Sequence, residues 1–264
     1  MGKQKMKYEL IQGDCLDEMC YINDGSINLI LCDLPYGTTA SNWDKAIPMR
    51  YLWEHYDRIL KDNGTVVLFA NGIFTPRVMA SNIEEYKYKW VWVKRNSTNF
   101  VHAKNRPLVQ VEDILIFSKG SMGHKSLLGE KRMTYNPQGI TPINKTMKGG
   151  KNNFTDNLMA KRPSHTDIYV REYTNYPTDL LTDFPEVAPN KKLHTNEKPI
   201  ALLEYLIKTY TNEGETVLDN CMGSGSTGVA CINTNRNFIG MELDEYYFQI
   251  ARERIENHEH QSII

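Results

Sequence analysis

The sequence predicts an α/β fold in which helices cover both faces of a mostly parallel sheet. Short apolar runs recur along the 264-residue chain, and most are continuous rather than alternating, as expected of strands buried on both faces. Helical patterns separate several of these runs, which favours a doubly wound arrangement. A glycine-rich turn also joins a strand to a helix near the C-terminus.

Seven runs are predicted as strands, which is enough for one such sheet. They cover residues 7–12, 27–32, 65–70, 88–93, 113–118, 216–219 and 237–242. Helical patterns cover residues 48–61, 198–210 and 244–258. Pro199 stands near the start of the second helix, where its missing N–H group would have no intrahelical partner.

Residues 119–191 lack this periodicity and are rich in Gly, Asn, Thr, Lys and Pro. A structureless loop of this length is unusual inside a compact domain unless it has a function. We therefore predict one domain built from residues 1–118 and 192–264, with an insertion at 119–191. The insertion is either a small subdomain or a mobile binding segment.

The charge of the chain is unevenly distributed. The formal net charge is −1, yet residues 87–165 contain 15 Lys and Arg against four Asp and Glu. Such an asymmetry predicts one face that binds a polyanion. The alternative is a basic, solvated loop region.

The cysteines and the N-terminus indicate a reduced, cytoplasmic protein. Five cysteines are present without a Cys-x-x-C pair, and residues 1–10 contain no long apolar stretch of the kind that a secretion signal has. No run approaches the roughly 18 apolar residues of a membrane span. We expect no membrane partner.

The stretch TVLDNCMGSGSTG (216–228) predicts a cofactor site. A strand ends at Asp219, and Gly223 and Gly225 allow a tight turn and a close approach to a ligand. The helix that follows offers free N–H groups. Glu242 ends the next strand, where a carboxylate can accept hydrogen bonds from ribose hydroxyls. This arrangement suits an adenosine-containing cofactor.

The same glycines, with Gly228, also fit the dinucleotide fingerprint. Two observations disfavour a nicotinamide enzyme. Asp219 would repel a pyrophosphate, whereas it suits a cationic amino-acid end. Only 22 residues follow Glu242, which are too few to complete a sheet, so the N-terminal part of the chain must supply the other strands.

A second candidate site is the stretch LCDLPY (31–36). Asp33 ends an apolar strand, and Pro35 biases Leu34 toward extended geometry, so the turn carbonyls point outward beside the carboxylate. These acceptors match an exocyclic amino group, and Tyr36 offers a ring face to a planar base. The alternative is an ordinary Asp-Pro turn at the end of a strand.

Together these stretches resemble amino-DNA methyltransferases of the permuted beta group. Residues 33–36 resemble the catalytic Asp-Pro-Pro-Tyr of that family, with leucine in place of one proline. Residues 219–225 resemble its Asp-Pro-Phe-x-Gly-x-Gly cofactor loop. Residues 194–203 and 13–19 resemble segments that contact the cofactor's methionine carboxylate and adenine. The resemblance is weakest across 120–190, where the family places target recognition.

The implied fold is a seven-stranded, Rossmann-like methyltransferase sheet, mostly parallel, doubly wound and circularly permuted, with an inserted target-recognition region. Its first four strands would be residues 216–219, 237–242, 7–12 and 27–32, with 113–118 as an antiparallel seventh strand. The implied catalytic residues are Asp33, Leu34, Pro35 and Tyr36. The implied residues binding S-adenosylmethionine are Asp14, Cys15, Lys198, Asp219, Cys221, Gly223, Ser224, Gly225 and Glu242. Cys221 is smaller than the family's phenylalanine, which predicts a looser pocket.

The resemblance implies methyl transfer from S-adenosylmethionine to adenine N6 of a flipped-out base in double-stranded DNA, without a metal. An aspartate at position 33 is usual for adenine enzymes, whereas N4-cytosine enzymes usually have serine. The alternatives are an N4-cytosine methyltransferase, an enzyme acting on RNA or protein glutamine, and a DNA-binding protein without turnover. Many members of the family dimerise, so a homodimer is a further expectation, and a restriction partner stays open.

Basic residues in three stretches are predicted to bind DNA. The first stretch follows the strand at 88–93, the second is KRMTYNPQG (131–139), and the third lies within the insertion. The predicted contacts are Lys94, Arg95, Lys104, Arg106, Lys131, Arg132, Lys145, Lys148 and Lys151.

Overall fold

The structure is a computed structural model that describes residues 7–37, 46–123, 128–148, 168–188, 190, 192–194 and 196–263. The chain divides into two compact units. The larger contains Met1–Asn136 and Asp179–Ile264, and the smaller contains Pro137–Thr178. The predicted insertion at 119–191 spans the smaller unit together with flanking segments of the larger one. Its role in target recognition stays a prediction.

Each predicted run overlaps a strand, whereas the strands at 141–148, 168–174 and 180–181 were not predicted. The strands are β1 (Tyr8–Gln12), β2 (Ile27–Cys32), β3 (Leu60–Ala70), β4 (Tyr86–Thr98), β5 (Val109–Phe117), β6 (Thr141–Lys148), β7 (Ile168–Thr174), β8 (Leu180–Leu181), β9 (Thr216–Asp219) and β10 (Asn237–Glu242). The α-helices are α1 (Cys15–Glu18), α2 (Met49–Ile59), α3 (Phe74–Ser81), α4 (Ile200–Tyr210), α5 (Ser226–Asn233) and α6 (Glu245–Ile263). None of the described helices is long and apolar enough to cross a membrane.

Eight strands form one sheet in the order β1-β10-β9-β2-β3-β5-β4-β8. β5 runs antiparallel to β3 and β4, and the other neighbouring pairs are parallel. The permuted order is therefore confirmed, because the C-terminal β9 and β10 lie between the N-terminal β1 and β2. The antiparallel place of the strand predicted at 113–118 is confirmed as well. The eighth strand, β8, has two residues and is too short to show as an apolar run.

Helices cover both faces of the sheet, as predicted. Every residue of β2 is buried. Leu29 and Leu31 point into one core, whereas Ile30 and Cys32 point into the other. The helices α4, α5 and α6 contribute Leu202, Val229 and Phe248 to the first core, and α2 and α3 contribute Leu52 and Val78 to the second. The alternation of one strand between two cores explains why its sequence is continuously apolar.

The central strand β3 is longer than its apolar run. β3 begins at Leu60, directly after α2, and its first half contains Lys61, Asp62 and Asn63. Gly64 is needed in this half, because a Cβ there would lie 2.8 Å from the Leu60 side chain. Polar residues at the exposed end of a strand do not show in a search for apolar runs.

The smaller unit contains an antiparallel pair of strands, β6 and β7. Most of its strand side chains are exposed, including those of Lys145 and Lys148. Such a ribbon has little apolar surface to bury, which is why its sequence shows no strong periodicity.

Candidate active site

Four parallel strands bring acidic residues to one edge of the sheet. Asp14 and Asp33 lie just past β1 and β2, and Asp219 and Glu242 end β9 and β10. These strands are neighbours, and Gln12 is paired with Glu242 in the register of β1 and β10. Ligands of open parallel sheets collect at the carboxyl ends of the strands. The two predicted sites are therefore one site.

A cleft of about 330 Å³ opens at this edge. The predicted residues that line it are Asp14, Cys15, Asp33, Leu34, Pro35, Tyr36, Cys221, Gly223 and Glu242. Lys198, Asp219 and Ser224 line a smaller cavity of about 60 Å³ that shares Asp33, Cys221 and Gly223 with the cleft. Gly225 lines neither cavity.

The glycine turn after β9 depends on backbone angles that favour glycine. Gly223 and Gly225 have φ values of +53° and +77°. A Cβ at Gly225 would also lie 3.0 Å from the Cβ of Ala251 in α6. Gly225 thus has a role in packing the turn against α6, while Gly223 faces the cleft.

Glu242, at the end of β10, is hydrogen-bonded to the glycine turn. Its Oε2 accepts a hydrogen bond from the Gly223 N–H at 2.9 Å, and its Oε1 accepts one from the Asp244 N–H at 2.9 Å. Burial raises the pKa of the Glu242 carboxyl. Each oxygen keeps further lone-pair capacity, so the carboxylate can also accept from a ligand in the cleft.

Asp219 is bound within its own loop. Its Oδ2 accepts from the Thr227 hydroxyl at 2.6 Å, and its Oδ1 accepts from the Cys221 N–H at 3.1 Å. The side chain is buried, and burial raises its pKa to about 6. These contacts fix the shape of the loop; a direct contact to a ligand stays a prediction.

Two departures from the family's cofactor loop have structural explanations. Asn220, which replaces a proline, accepts a hydrogen bond from the Tyr56 hydroxyl of α2 at 2.7 Å. Cys221 lies among the thiols of Cys15 and Cys32, and burial raises the pKa of Cys32 to about 12. The thiols are therefore neutral, and those of Cys15 and Cys221 line the cleft.

Residues 33–36, the predicted catalytic tip, have a dense set of polar contacts. Asp33 Oδ2 lies 2.5 Å from Lys198 Nζ, and Asp33 Oδ1 accepts from the Tyr36 hydroxyl at 3.2 Å. One face of the Tyr36 ring stacks on Phe74, with ring centroids 4.4 Å apart. Burial and repulsion from Glu112 outweigh the Lys198 ammonium and raise the pKa of the Asp33 carboxyl. A raised pKa suits a group that must accept a proton.

Lys198 has two carboxylate partners that the sequence analysis did not predict. The resemblance implies a contact with the cofactor's carboxylate, but its ammonium binds Asp33 and lies 3.1 Å from Glu112. The ammonium also lies 4.8 Å from the centroid of the Phe69 ring. Burial alone would lower the pKa of Lys198, and the two carboxylates raise it instead. A contact with the cofactor stays a prediction.

Three residues of the site were missed by the sequence analysis. Glu112, on β5, is buried beside the catalytic tip, and the signal was a carboxylate inside the run VEDILIF. His194 and Tyr247 line the cleft with their rings 4.4 Å apart. His194 begins the stretch 194–203 that resembles a cofactor-contacting segment, but its contact with Tyr247 depends on how α6 packs beside the glycine turn.

The basic residues in the second half of β4 and in the loop after it are in two kinds of environment. Lys94 is not a free surface cation, because its Nζ lies 2.5 Å from Glu112 Oε2 and its side chain is 19% exposed. Arg95, Lys104 and Arg106 are exposed, beside a turn that also exposes Phe100 and Val101. β4 is parallel to β2, so this loop leaves the sheet at the edge where Asp33 lies.

The other predicted DNA contacts lie near β3, in the smaller unit, or outside the described residues. Lys131 and Arg132 precede Thr134, whose N–H donates to the Asn63 carbonyl near the amino end of β3. They therefore lie toward the edge of the sheet opposite to Asp33. Lys145 and Lys148 lie on the exposed β6 of the smaller unit, and Lys151 lies outside the described residues.

A model of the DNA methylase family matches residues 27–253. The chain belongs to the DNA methylase family. The match covers β2 to β10 of this DNA methylase and includes the catalytic tip, the glycine turn and Glu242.

Individual relatives extend the comparison. The DNA adenine methyltransferase YhdJ of Escherichia coli (strain K12) is 27% identical over 267 residues, which are 96% of this chain and 84% of the relative. The crystal structure of the M1.HpyAVI–SAM complex is similar with a TM-score of 0.59 and 23% identity, covering 94% of this chain and 98% of that one. The cytosine-N4-specific PvuII DNA methyltransferase has a TM-score of 0.64 and 17% identity, covering 98% and 95%. Both structures share the fold of this DNA methylase.

Proposed function

We propose that this DNA methylase transfers a methyl group from S-adenosylmethionine to N6 of an adenine that is flipped out of double-stranded DNA. The observation that carries the proposal is that the Asp33 carboxylate shares one cleft with the glycine turn and Glu242. A carboxylate that can accept from an amine and a turn that can hold a nucleoside thus face the same space.

The cleft fits the cofactor in size and in chemistry. Its volume of about 330 Å³ lies in the usual range for small-molecule sites. Glu242 would accept from the ribose hydroxyls, and Asp14, capping α1 at the next strand tip, lies where the adenine end is expected. When bound, S-adenosylmethionine supplies a methyl group that its sulfonium charge already activates. The M1.HpyAVI relative was crystallised as a SAM complex, which supports the assignment.

The residues of the catalytic tip would activate the amine. Hydrogen bonds from the adenine amino group to the Asp33 carboxylate and the Leu34 carbonyl bias N6 toward tetrahedral geometry and free its lone pair. As the N6–carbon bond forms, the sulfur–carbon bond breaks and N6 becomes positively charged. The proton then passes to Asp33, directly or through water.

The target base must leave the helix to reach this tip. Unpairing and unstacking a base costs a few kcal/mol. Tyr36, which lines the cleft and rests on Phe74, offers a ring that offsets part of this cost. A homodimer and a cytoplasmic location stay predictions.

Adenine is favoured over cytosine by the aspartate at position 33. YhdJ, which is named an adenine methyltransferase, supports this choice. The alternative is N4 of cytosine, because PvuII is cytosine-N4-specific and its structure is similar over nearly the whole chain. Both bases offer an exocyclic amine to the same acceptors.

The test is methyl transfer to DNA followed by nucleoside analysis. The protein and isotopically labelled S-adenosylmethionine are incubated with DNA of varied sequence, and the digested nucleosides are separated by mass spectrometry. We expect label in N6-methyladenine. Label in N4-methylcytosine would replace adenine with cytosine, and an absence of label from both would contradict the proposed activity.

DNA binding should depend strongly on salt through the lysines of the smaller unit. Each neutralised phosphate contributes about 0.9 to the slope of log affinity against log salt. We expect the combined change of Lys145, Lys148 and Lys151 to Gln to reduce this slope by up to about 2.7. Fluorescence anisotropy between 50 and 200 mM salt, roughly the range over which such slopes are measured, checks this.

The matched control is the double change of Lys131 and Arg132 to Gln. Both residues are basic and were predicted DNA contacts, but they lie toward the opposite edge of the sheet. We expect it to leave the slope unchanged. An unchanged slope in the triple variant would show that these three lysines do not contact the DNA.

A further inference from the structure

Glu112 is a buried carboxylate beside the catalytic tip that the proposed chemistry does not use. It lies on β5, two strands from Asp33, and is 4% exposed. Its Oε2 lies 2.5 Å from Lys94 Nζ, and its Oε1 lies 3.1 Å from Lys198 Nζ. The same Oε1 lies 3.2 Å from the Tyr36 hydroxyl, whose single proton it shares with Asp33 Oδ1. Removing a partner from a buried charge destabilises the folded protein, because the charge is then left uncompensated. The three partners of Glu112 are therefore held in place together.

Two of these partners also bind Asp33. Lys198 contacts Asp33 Oδ2, and the Tyr36 hydroxyl lies 3.2 Å from Asp33 Oδ1. Each Asp33 oxygen is therefore bound by a group that Glu112 also binds. The side chain of Asp33 is 21% exposed, whereas that of Glu112 is 5% exposed, so Asp33 is the carboxylate that a substrate can reach.

We propose that Glu112 is a positioning residue for methyl transfer: it holds the Lys198 ammonium and the Tyr36 hydroxyl where they orient both oxygens of Asp33. This inference rests on the proposed function, because it concerns the same amine acceptor. Glu112 touches neither the base nor the cofactor in this scheme.

The sharing of Lys198 has an electrostatic consequence for Asp33. Burial would raise the pKa of Glu112, but Lys198 and Lys94 outweigh it and keep that carboxyl ionised, with a lowered pKa. Glu112 in turn raises the pKa of Asp33 by repulsion between like charges. The two carboxylates also share the Lys198 ammonium as an ion-pair partner. Five titratable groups interact electrostatically with Asp33: Cys32, Tyr36, Glu112, Lys198 and Asp219. Lys94 interacts with Glu112 from its other side.

Removal of the Glu112 charge should therefore shift the pKa of Asp33 in a defined direction. In Glu112→Gln, Lys198 pairs with Asp33 alone and the like-charge repulsion disappears, so the pKa of Asp33 falls. Asp33 then binds protons and amino hydrogens less strongly. In Lys94→Gln, Glu112 loses its second cation and the pKa of Asp33 rises. A merely structural role of Glu112 predicts no such pair of opposite shifts.

The experiment measures single-turnover methyl transfer to DNA against pH for the full chain and its variants. We expect Glu112→Gln to slow transfer about tenfold, the loss of roughly one hydrogen bond to a charged group. We also expect it to move the acid limb of the profile to lower pH, and Lys94→Gln to move the limb to higher pH. Asp113→Asn is the matched control, because Asp113 is the next residue on β5 and pairs with Lys89 instead.

A second measurement does not depend on the substrate. The titration of the Asp33 carboxyl is followed by ¹³C NMR in protein with labelled aspartate, and the signal is assigned by its absence in Asp33→Asn. The same opposite shifts are expected in Glu112→Gln and Lys94→Gln, and none in Asp113→Asn. If the titration midpoint of the Asp33 signal is the same in Glu112→Gln as in wild type, the inference is wrong. If the midpoint moves as expected and wild-type protein methylates no DNA, the electrostatic coupling of Glu112 to Asp33 stands and the proposed function fails.

Discussion

Asp33→Ala should abolish methyl transfer while leaving cofactor affinity nearly unchanged. Loss of one preorganised group at a reacting centre typically slows the chemical step by on the order of 10²–10³. Asp33 also takes the proton in the proposed scheme, so a larger loss is expected. The cofactor's nucleoside end would be held elsewhere in the cleft, by the glycine turn and Glu242. Single-turnover methylation and calorimetry with S-adenosylmethionine, on the same preparation, separate the two effects.

The fold should survive this change. Asp33 is partly exposed, and in its absence the Lys198 ammonium still lies beside Glu112. A buried charge would therefore not be left without a partner, which is the usual reason for a large loss of stability. Asp33→Asn is the closer replacement, because its amide can still accept from the Tyr36 hydroxyl. Near-normal transfer by either variant would contradict the assignment of this strand tip as the active site.

The acidic residues at the carboxyl ends of the strands could be predicted from the sequence. Asp33, Asp219 and Glu242 each follow an apolar run, and parallel neighbours bring their carboxyl ends to one edge. The permuted order was predictable because the catalytic motif at 33–36 precedes the glycine turn at 219–225 in the chain. Local pattern and chain topology thus sufficed to place the cleft.

The partners of these residues could not be predicted in the same way. Lys198 and Glu112 are 86 positions apart and meet only because the segment before α4 crosses the end of β5. Asn220 is held by Tyr56 from a different helix. Lys94 belongs to a run of basic residues, yet it is turned inward to Glu112. Contacts of this kind depend on tertiary packing, which composition and periodicity do not encode.

Glu242→Ala should weaken the binding of an adenosine-containing cofactor by about 10- to 100-fold, as expected for lost hydrogen bonds to a charged acceptor. Calorimetry with S-adenosylhomocysteine measures the loss without turnover. The structure adds a competing explanation, since Glu242 also accepts from the Gly223 and Asp244 N–H groups. Weaker binding alone could then reflect a loosened turn rather than a lost ribose contact.

A double-mutant cycle distinguishes these explanations. The affinities of wild type and Glu242→Ala are compared for S-adenosylhomocysteine and for its analogue without the ribose 2′ and 3′ hydroxyls. If Glu242 binds the ribose, the analogue binds wild type more weakly, and Glu242→Ala binds both ligands alike, because contacting groups are not additive. If the carboxylate only fastens the turn, the variant loses the same factor for both ligands. Additive losses would remove Glu242 from the ribose role and leave Asp14, at the end of the neighbouring β1, as the next carboxylate to test.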